Sequence, residues 1–298
     1  AWLAGTACGC PHTPDPPAGG PVPRAGVIEA CVLLEGCGYG SVDSFATALI
    51  CADPYLGESY GLRGVLEGIR DCIVAAGAAA APGMPPCNAV ATCLNGGVPP
   101  GPCAGSSSRC EGDVVVGCAE GSETALDCAA AAQLCVASTP STAECGVGSC
   151  SPGAYVPTCD GAVLQQCNAN GVIATIDCAV QGLGCLAEAG TAYCGGTGAP
   201  CDTATFTGRC EDTHAVYCNQ GFEADVDCAT LIENYTCADL GAGAVSCLPA
   251  ASDCTDIADD DCDGTDIVVC VDRRTWRFDC VALGFGGCVV INNLPYCQ

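Results

Sequence analysis

One six-cysteine phrase is written four times along this chain, and that repetition constrains the fold more than any other feature of its 298 residues. The first copy is Cys103, Cys110, Cys118, Cys128, Cys135 and Cys145, and the second is Cys150, Cys159, Cys167, Cys178, Cys185 and Cys194. The third is Cys201, Cys210, Cys218, Cys228, Cys237 and Cys247, and the fourth is Cys254, Cys262, Cys270, Cys280, Cys288 and Cys297. Seven residues always separate the second cysteine from the third: CEGDVVVGC, CDGAVLQQC, CEDTHAVYC and CDGTDIVVC. Each following segment ends in Asp-Cys. Self-similarity at a fixed period marks a tandem array of small units.

Val, Ile and Thr flank short polar turns in these segments, which predicts a β-hairpin with its turn near Asn170-Gly171 in the second unit. A second hairpin is expected between the fifth and sixth cysteines, giving about four short strands per unit. A unit of roughly 45 residues buries too little apolar surface to stand unaided, so three disulfides per unit must supply the constraint. For a loop of ~15 residues each bridge contributes about 3 kcal/mol by restricting the unfolded chain. Spacing alone leaves the pairing open. The joints GVGS, GGTGAP and LPAASD are short, which suits units in contact as a rod or superhelix, with a closed propeller as the alternative.

The expected class is α+β and disulfide-rich: a small N-terminal helical domain followed by four tandem β units at 103–145, 150–194, 201–247 and 254–298. Residues 1–26 read as an extended Pro/Gly-rich arm, since proline pins φ and removes a donor. Residues 27–94 read as helical, with 95–102 as linker. Leu62, Val65, Leu66, Ile69 and Ile73 form one apolar stripe of an amphipathic helix, and shorter helices are expected at 27–35, 42–51 and 88–94. Cys8, Cys10, Cys31, Cys37, Cys51, Cys72, Cys87 and Cys93 would staple this head.

Thirty-two cysteines, an even number without any C-x-x-C, fit disulfides rather than zinc ribbons or iron–sulfur clusters and place the chain outside the reducing cytosol. The AWLAG start, with no basic and apolar leader, reads as the product of a cleaved export signal. The run at 73–84 is too short and Ala/Gly-rich to span a bilayer. A net charge of −26, with eight arginines and no lysine, disfavours nucleic-acid and anionic-membrane partners. It also removes Schiff-base chemistry and Ser–Lys dyads.

The phrases C-[DE]-G-x-V-x-x-x-C and D-C-A-x-x-G-x-x-C occur at Cys159-Asp160-Gly161-Ala162-Val163 and at Asp177-Cys178-Ala179 with Gly182 and Cys185. In them the chain resembles the cysteine-rich secreted repeat proteins of GC-rich bacteria, over roughly residues 103–298. The resemblance implies an extracellular location and no particular chemistry.

Candidate sites are few. Asp259, Asp261, Asp263 and Gly264 match the opening of a calcium loop, but its twelfth position is Cys270 instead of a bidentate acid. Asp263-Gly264 also falls where the other units carry a turn, so a solvated acidic turn is the simpler reading; no other cofactor is expected. Gly57-Glu58-Ser59-Tyr60-Gly61 has the letters of a nucleophile elbow without the strand before it or a matching acid–histidine set. Cys8-Gly9-Cys10 reads as two halves of structural disulfides rather than a redox pair. Trp276 with Arg273, Arg274 and Arg277 is the one cluster able to stack on a sugar, and Asn234-Tyr235-Thr236 is a glycosylation sequon.

The functional expectation is a non-enzymatic structural protein of the cell exterior that self-assembles into a filament or surface layer, with Trp2 and Leu3 as an apolar assembly tip. The expected partner is another copy of the chain. The alternative is a secreted adhesin or lectin-like module presenting hairpin loops to a glycan or protein.

Overall fold

The computed structural model describes residues 24–39 and 62–298, apart from 106, 120, 189, 232–233, 256–259, 272 and 293. Residues 1–23, the helix expected at 42–51, the Gly57–Gly61 motif, Cys8-Gly9-Cys10 and the Trp2-Leu3 tip all lie outside the described residues.

Among the described residues three helices belong to the head: α1 (Arg24–Gly36), α2 (Arg63–Ala78) and α3 (Cys87–Leu94). In α2 the apolar stripe is buried as its spacing requires, with Leu62, Leu66 and Ile73 at 0–1% exposure. Helix α1 is apolar nearly all round, burying Val27, Ile28, Ala30, Val32, Leu33 and Leu34, so it needs cover on more than one side. Among the described residues, disulfides Cys37–Cys87, from the end of α1 to the start of α3, and Cys72–Cys93, from α2 to α3, tie the helices together.

Every unit then repeats one plan. Unit 1 has β1 (Arg109–Glu111), β2 (Val114–Ala119), β3 (Ser122–Asp127), β4 (Leu134–Thr139) and β5 (Thr142–Gly146). Unit 2 has β6 (Thr158–Asp160), β7 (Val163–Cys167), β8 (Ile173–Asp177), β9 (Gly184–Glu188) and β10 (Thr191–Gly195). Unit 3 has β11 (Arg209–Glu211), β12 (His214–Asn219), β13 (Phe222–Asp227), β14 (Tyr235–Gly241) and β15 (Ala244–Pro249). Unit 4 has β16 (Asp261–Asp263), β17 (Asp266–Val271), β18 (Arg274–Asp279), β19 (Cys288–Ile291) and β20 (Leu294–Cys297). The first three strands make an antiparallel meander and the last two a separate hairpin. The unit therefore has five strands rather than about four, because the second cysteine sits on a three-residue strand too short to carry an alternating pattern.

Local chemistry explains the invariant letters. Gly112, Gly161 and Gly264 occupy the tight turn after the first strand at φ +60° to +67°, where an L side chain is strained, and unit 3 places Asp212 there at φ +56°. The aspartate before the fourth cysteine caps a short helical turn. Asp127, Asp177, Asp227 and Asp279 each accept, at 2.9–3.1 Å, the backbone N–H two residues on, satisfying an otherwise orphaned donor.

The disulfides join the first cysteine to the third, the second to the fifth and the fourth to the sixth, in all four units. In the second hairpin the fifth and sixth cysteines face each other directly, Cys135 to Cys145, Cys185 to Cys194, Cys237 to Cys247 and Cys288 to Cys297. Opposed residues share a face. Both therefore point at the meander and rivet the hairpin to it instead of bonding each other.

The array is not a free rod. In units 1–3 the preceding joint adds a rung to the third strand: Glu123, Ile173 and Glu223 donate their N–H to the carbonyls of Gly101, Gly148 and Ala199 at 2.8–3.0 Å. Units 1 and 2 also meet through Gln133 and Thr175 (3.0 Å) and through Asn168 and Glu144 (2.8 Å). A Cβ at Gly196 would come 2.5 Å from the Phe222 and Glu223 carbonyls, so this joint accepts no side chain. The joint before unit 4 lacks glycine, and there Thr275 N–H is taken by the Asp253 carboxylate at 2.6 Å. Unit 4 packs on the head instead: one core runs through all three helices, unit 1 and unit 4, with Phe285 1% exposed within it.

Candidate functional site

The expected sites converge on unit 4, and the structure separates them. On β16, Asp261 and Asp263 are two residues apart and project from the same face, both exposed. Asp261 accepts the Cys262 N–H at 2.8 Å, while Asp263 is ion-paired with Arg277 at 2.7 Å. Asp260 accepts the Cys270 N–H at 2.5 Å, and Asp259 lies outside the described residues. Among the described residues no three metal-ligating side chains converge. Asp263 is engaged by a cation, and its glycine belongs to the turn that the other units share.

The arginine cluster divides in the same way. Arg274 lies over the Trp276 ring at 4.8 Å, a cation–π contact on one face of β18. Arg277 turns away to Asp263 and Asp266, and its pKa is raised first by the hydrogen bond to Asp263. Arg273 occupies the hairpin turn at φ +65°. A stacking platform of Trp276 with all three arginines is thus not assembled; Arg274 alone caps the ring. The sequon asparagine, Asn234, is exposed, with Tyr235 beside it buried.

His214, on β12, is brought against carboxylates. Its Nδ1 is 2.8 Å from Asp225 and its Nε2 3.9 Å from Asp227, both across the hairpin on β13. The hydrogen bond to Asp225 raises its pKa. Arg109 and Arg209 repeat one another, each bridging the glutamate two residues on and a glutamate of the third strand. These are exposed structural pairs on the strand faces.

Two surface features carry no sequence motif. The tip of the β19–β20 hairpin exposes Val290, Ile291 and Leu294, at 51%, 46% and 37%, on an otherwise acidic molecule. Unit 3 carries a partly open pocket of about 410 Å³ lined by Ala215, Tyr217, Val226, Leu231 and Val245, with Gln181 of unit 2 also on its wall. The visible signal for the cavity is an alanine at position 215, where the other units carry Val115, Leu164 and Ile267.

No family model matches this sequence, and comparisons with curated proteins and with solved structures return no significant match. No helix among the described residues is long and apolar enough to cross a membrane. The density of disulfides suggests an extracellular or secreted protein.

Proposed function

We propose that the protein is a non-enzymatic extracellular structural subunit that associates with further copies of itself. The observation that carries this reading is the invariant disulfide pattern in four units, the middle two of which have small cores of their own. Units 2 and 3 hold buried clusters of only three residues each, Leu164, Cys178 and Ala192 in one and Ala215, Cys228 and Tyr235 in the other. Interlocked bridges, rather than a deep core, keep such units folded, which suits a part that must survive proteases and load outside the cell. The segment at 1–23 with Trp2 and Leu3, and the apolar β19–β20 tip, are the parts we assign to self-association, helix α1 beginning at Arg24 inside the arm expected at 1–26.

A net charge of −26 opposes contact between copies, so association through apolar tips should strengthen as salt screens the repulsion. Sedimentation and negative-stain imaging of the oxidised full chain test this. Filaments or larger particles that grow with salt, and that shrink when Ile291→Asp and Leu294→Asp are introduced together or residues 1–23 are removed, are expected. Monomers at every concentration and salt level would sink the structural-subunit reading. The second reading, a binding module, is favoured by the Arg274–Trp276 stack on an exposed hairpin; saturable binding on a glycan array, lost in Trp276→Ala, would support it.

A further inference from the structure

The units share a core position five residues after the second cysteine, on the central strand of the meander and directly opposite that cysteine. Val115, Leu164 and Ile267 fill it in units 1, 2 and 4, each 5% exposed or less. Unit 3 carries Ala215 in the same register. The missing branched side chain leaves open space beside Val226, Leu231 and Val245. Gln181 of unit 2 closes one side. About 410 Å³ remains beside the alanine.

From this geometry we propose that the cavity at Ala215 is a binding site for a small neutral ring compound with one hydroxyl edge. Its volume lies in the range of ligand pockets, roughly 300–1,000 Å³. A dry apolar cavity of about 150 Å³ already takes benzene, so this one holds a ring and a short substituent. Every described residue on its wall is uncharged, and an ion placed there would lose hydration without a counter-charge. Aliphatic side chains of Ala215, Val226, Leu231 and Val245 share the wall with polar surface in equal measure, and Tyr217 and Gln181 line it with residues that carry a hydroxyl and an amide to orient a polar edge. Burial also raises the Tyr217 pKa, keeping its phenol protonated and able to donate. The site goes beyond the structural role: assembly through the arm and the β19–β20 tip does not require it.

The test uses the oxidised full chain and 4-propylphenol as the probe, followed by methyl NMR of Val226, Leu231 and Val245. Saturable shifts at these methyls are expected, with at least ten-fold weaker binding of the anionic 4-propylbenzoate. Ala215→Leu, which installs the residue that unit 2 carries at Leu164, should abolish the shifts. Val245→Phe fills the cavity from another wall and should do the same should Ala215→Leu fail to form its disulfides. No saturable shift, equal binding of the carboxylate, or undiminished binding by a correctly oxidised filled variant would overturn the proposal.

Discussion

Gly36, the last residue of α1, lies so close to Phe285 of unit 4 that a Cβ built on Gly36 would stand 2.7 Å from the ring's Cζ. The glycine is therefore a socket for the phenylalanine. Through this contact, and through Leu283 beside it, the last unit returns to the first element of the described chain and covers the apolar side of α1 that α2 and α3 leave open.

Phe285→Ala should detach unit 4. Truncating a ring that is 1% exposed costs about 3–5 kcal/mol in a well-packed core. Limited proteolysis should then cut near residues 248–253, and hydrogen exchange should rise across both α1 and β20. Unchanged protection in α1 would show that the ring does not hold the unit in place.

Graded reduction should open the molecule from the middle. Units 2 and 3 hold only small buried clusters, whereas units 1 and 4 share the continuous core of the head. Alkylation mapping should find cysteines of 150–194 and 201–247 accessible before those of 103–145 and 254–298. The reverse order would show that the shared core adds nothing to the bridges it surrounds.

Asp177→Ala removes the cap whose carboxylate accepts the Ala179 N–H at 3.0 Å. Loss of such a cap costs about 0.5–2 kcal/mol. The change should lower the denaturation midpoint of unit 2, read by its own hydrogen exchange, while unit 4 stays unchanged. An equal effect in both would mean that the units do not unfold separately.

His214 makes stability depend on pH with a definite sign. Its pKa is raised, chiefly by the hydrogen bond with Asp225, which outweighs the opposing desolvation, and further by the charges of Asp225, Asp227 and Asp212. A raised folded-state pKa means that the contribution is complete below the unfolded value of 6.5 and is lost as pH climbs through the folded value. The melting temperature of the wild type should therefore exceed that of His214→Gln at about pH 5.5 and converge with it at about pH 9. A pH-independent difference would assign the effect to packing.

Much of this was legible in the cysteines and their neighbours. The repeat, its hairpins, the turn at Asp263-Gly264 and the stripe of α2 all follow from short-range rules, because turn geometry and helical period act within a few residues. The three-residue first strand escaped those rules, being too short to show a period. The calcium reading of Asp259, Asp261 and Asp263 and the arginine–tryptophan cluster depended on which charges meet across strands. Arg277 settles part of that by pairing with Asp263 while Arg274 stacks on Trp276.

What the residues determined by themselves is the unit: six cysteines, a glycine or aspartate that accepts positive φ, and an aspartate that caps. What only the tertiary structure decided is which cysteines bond and which units touch. The fifth and sixth cysteines sit opposite each other in their hairpin, so register alone would permit them to pair. They bond elsewhere because both side chains face the meander, where the second and fourth cysteines wait. Unit 4 likewise packs on the head, because α1 presents an apolar side against which Phe285 and Leu283 are buried in one shared core.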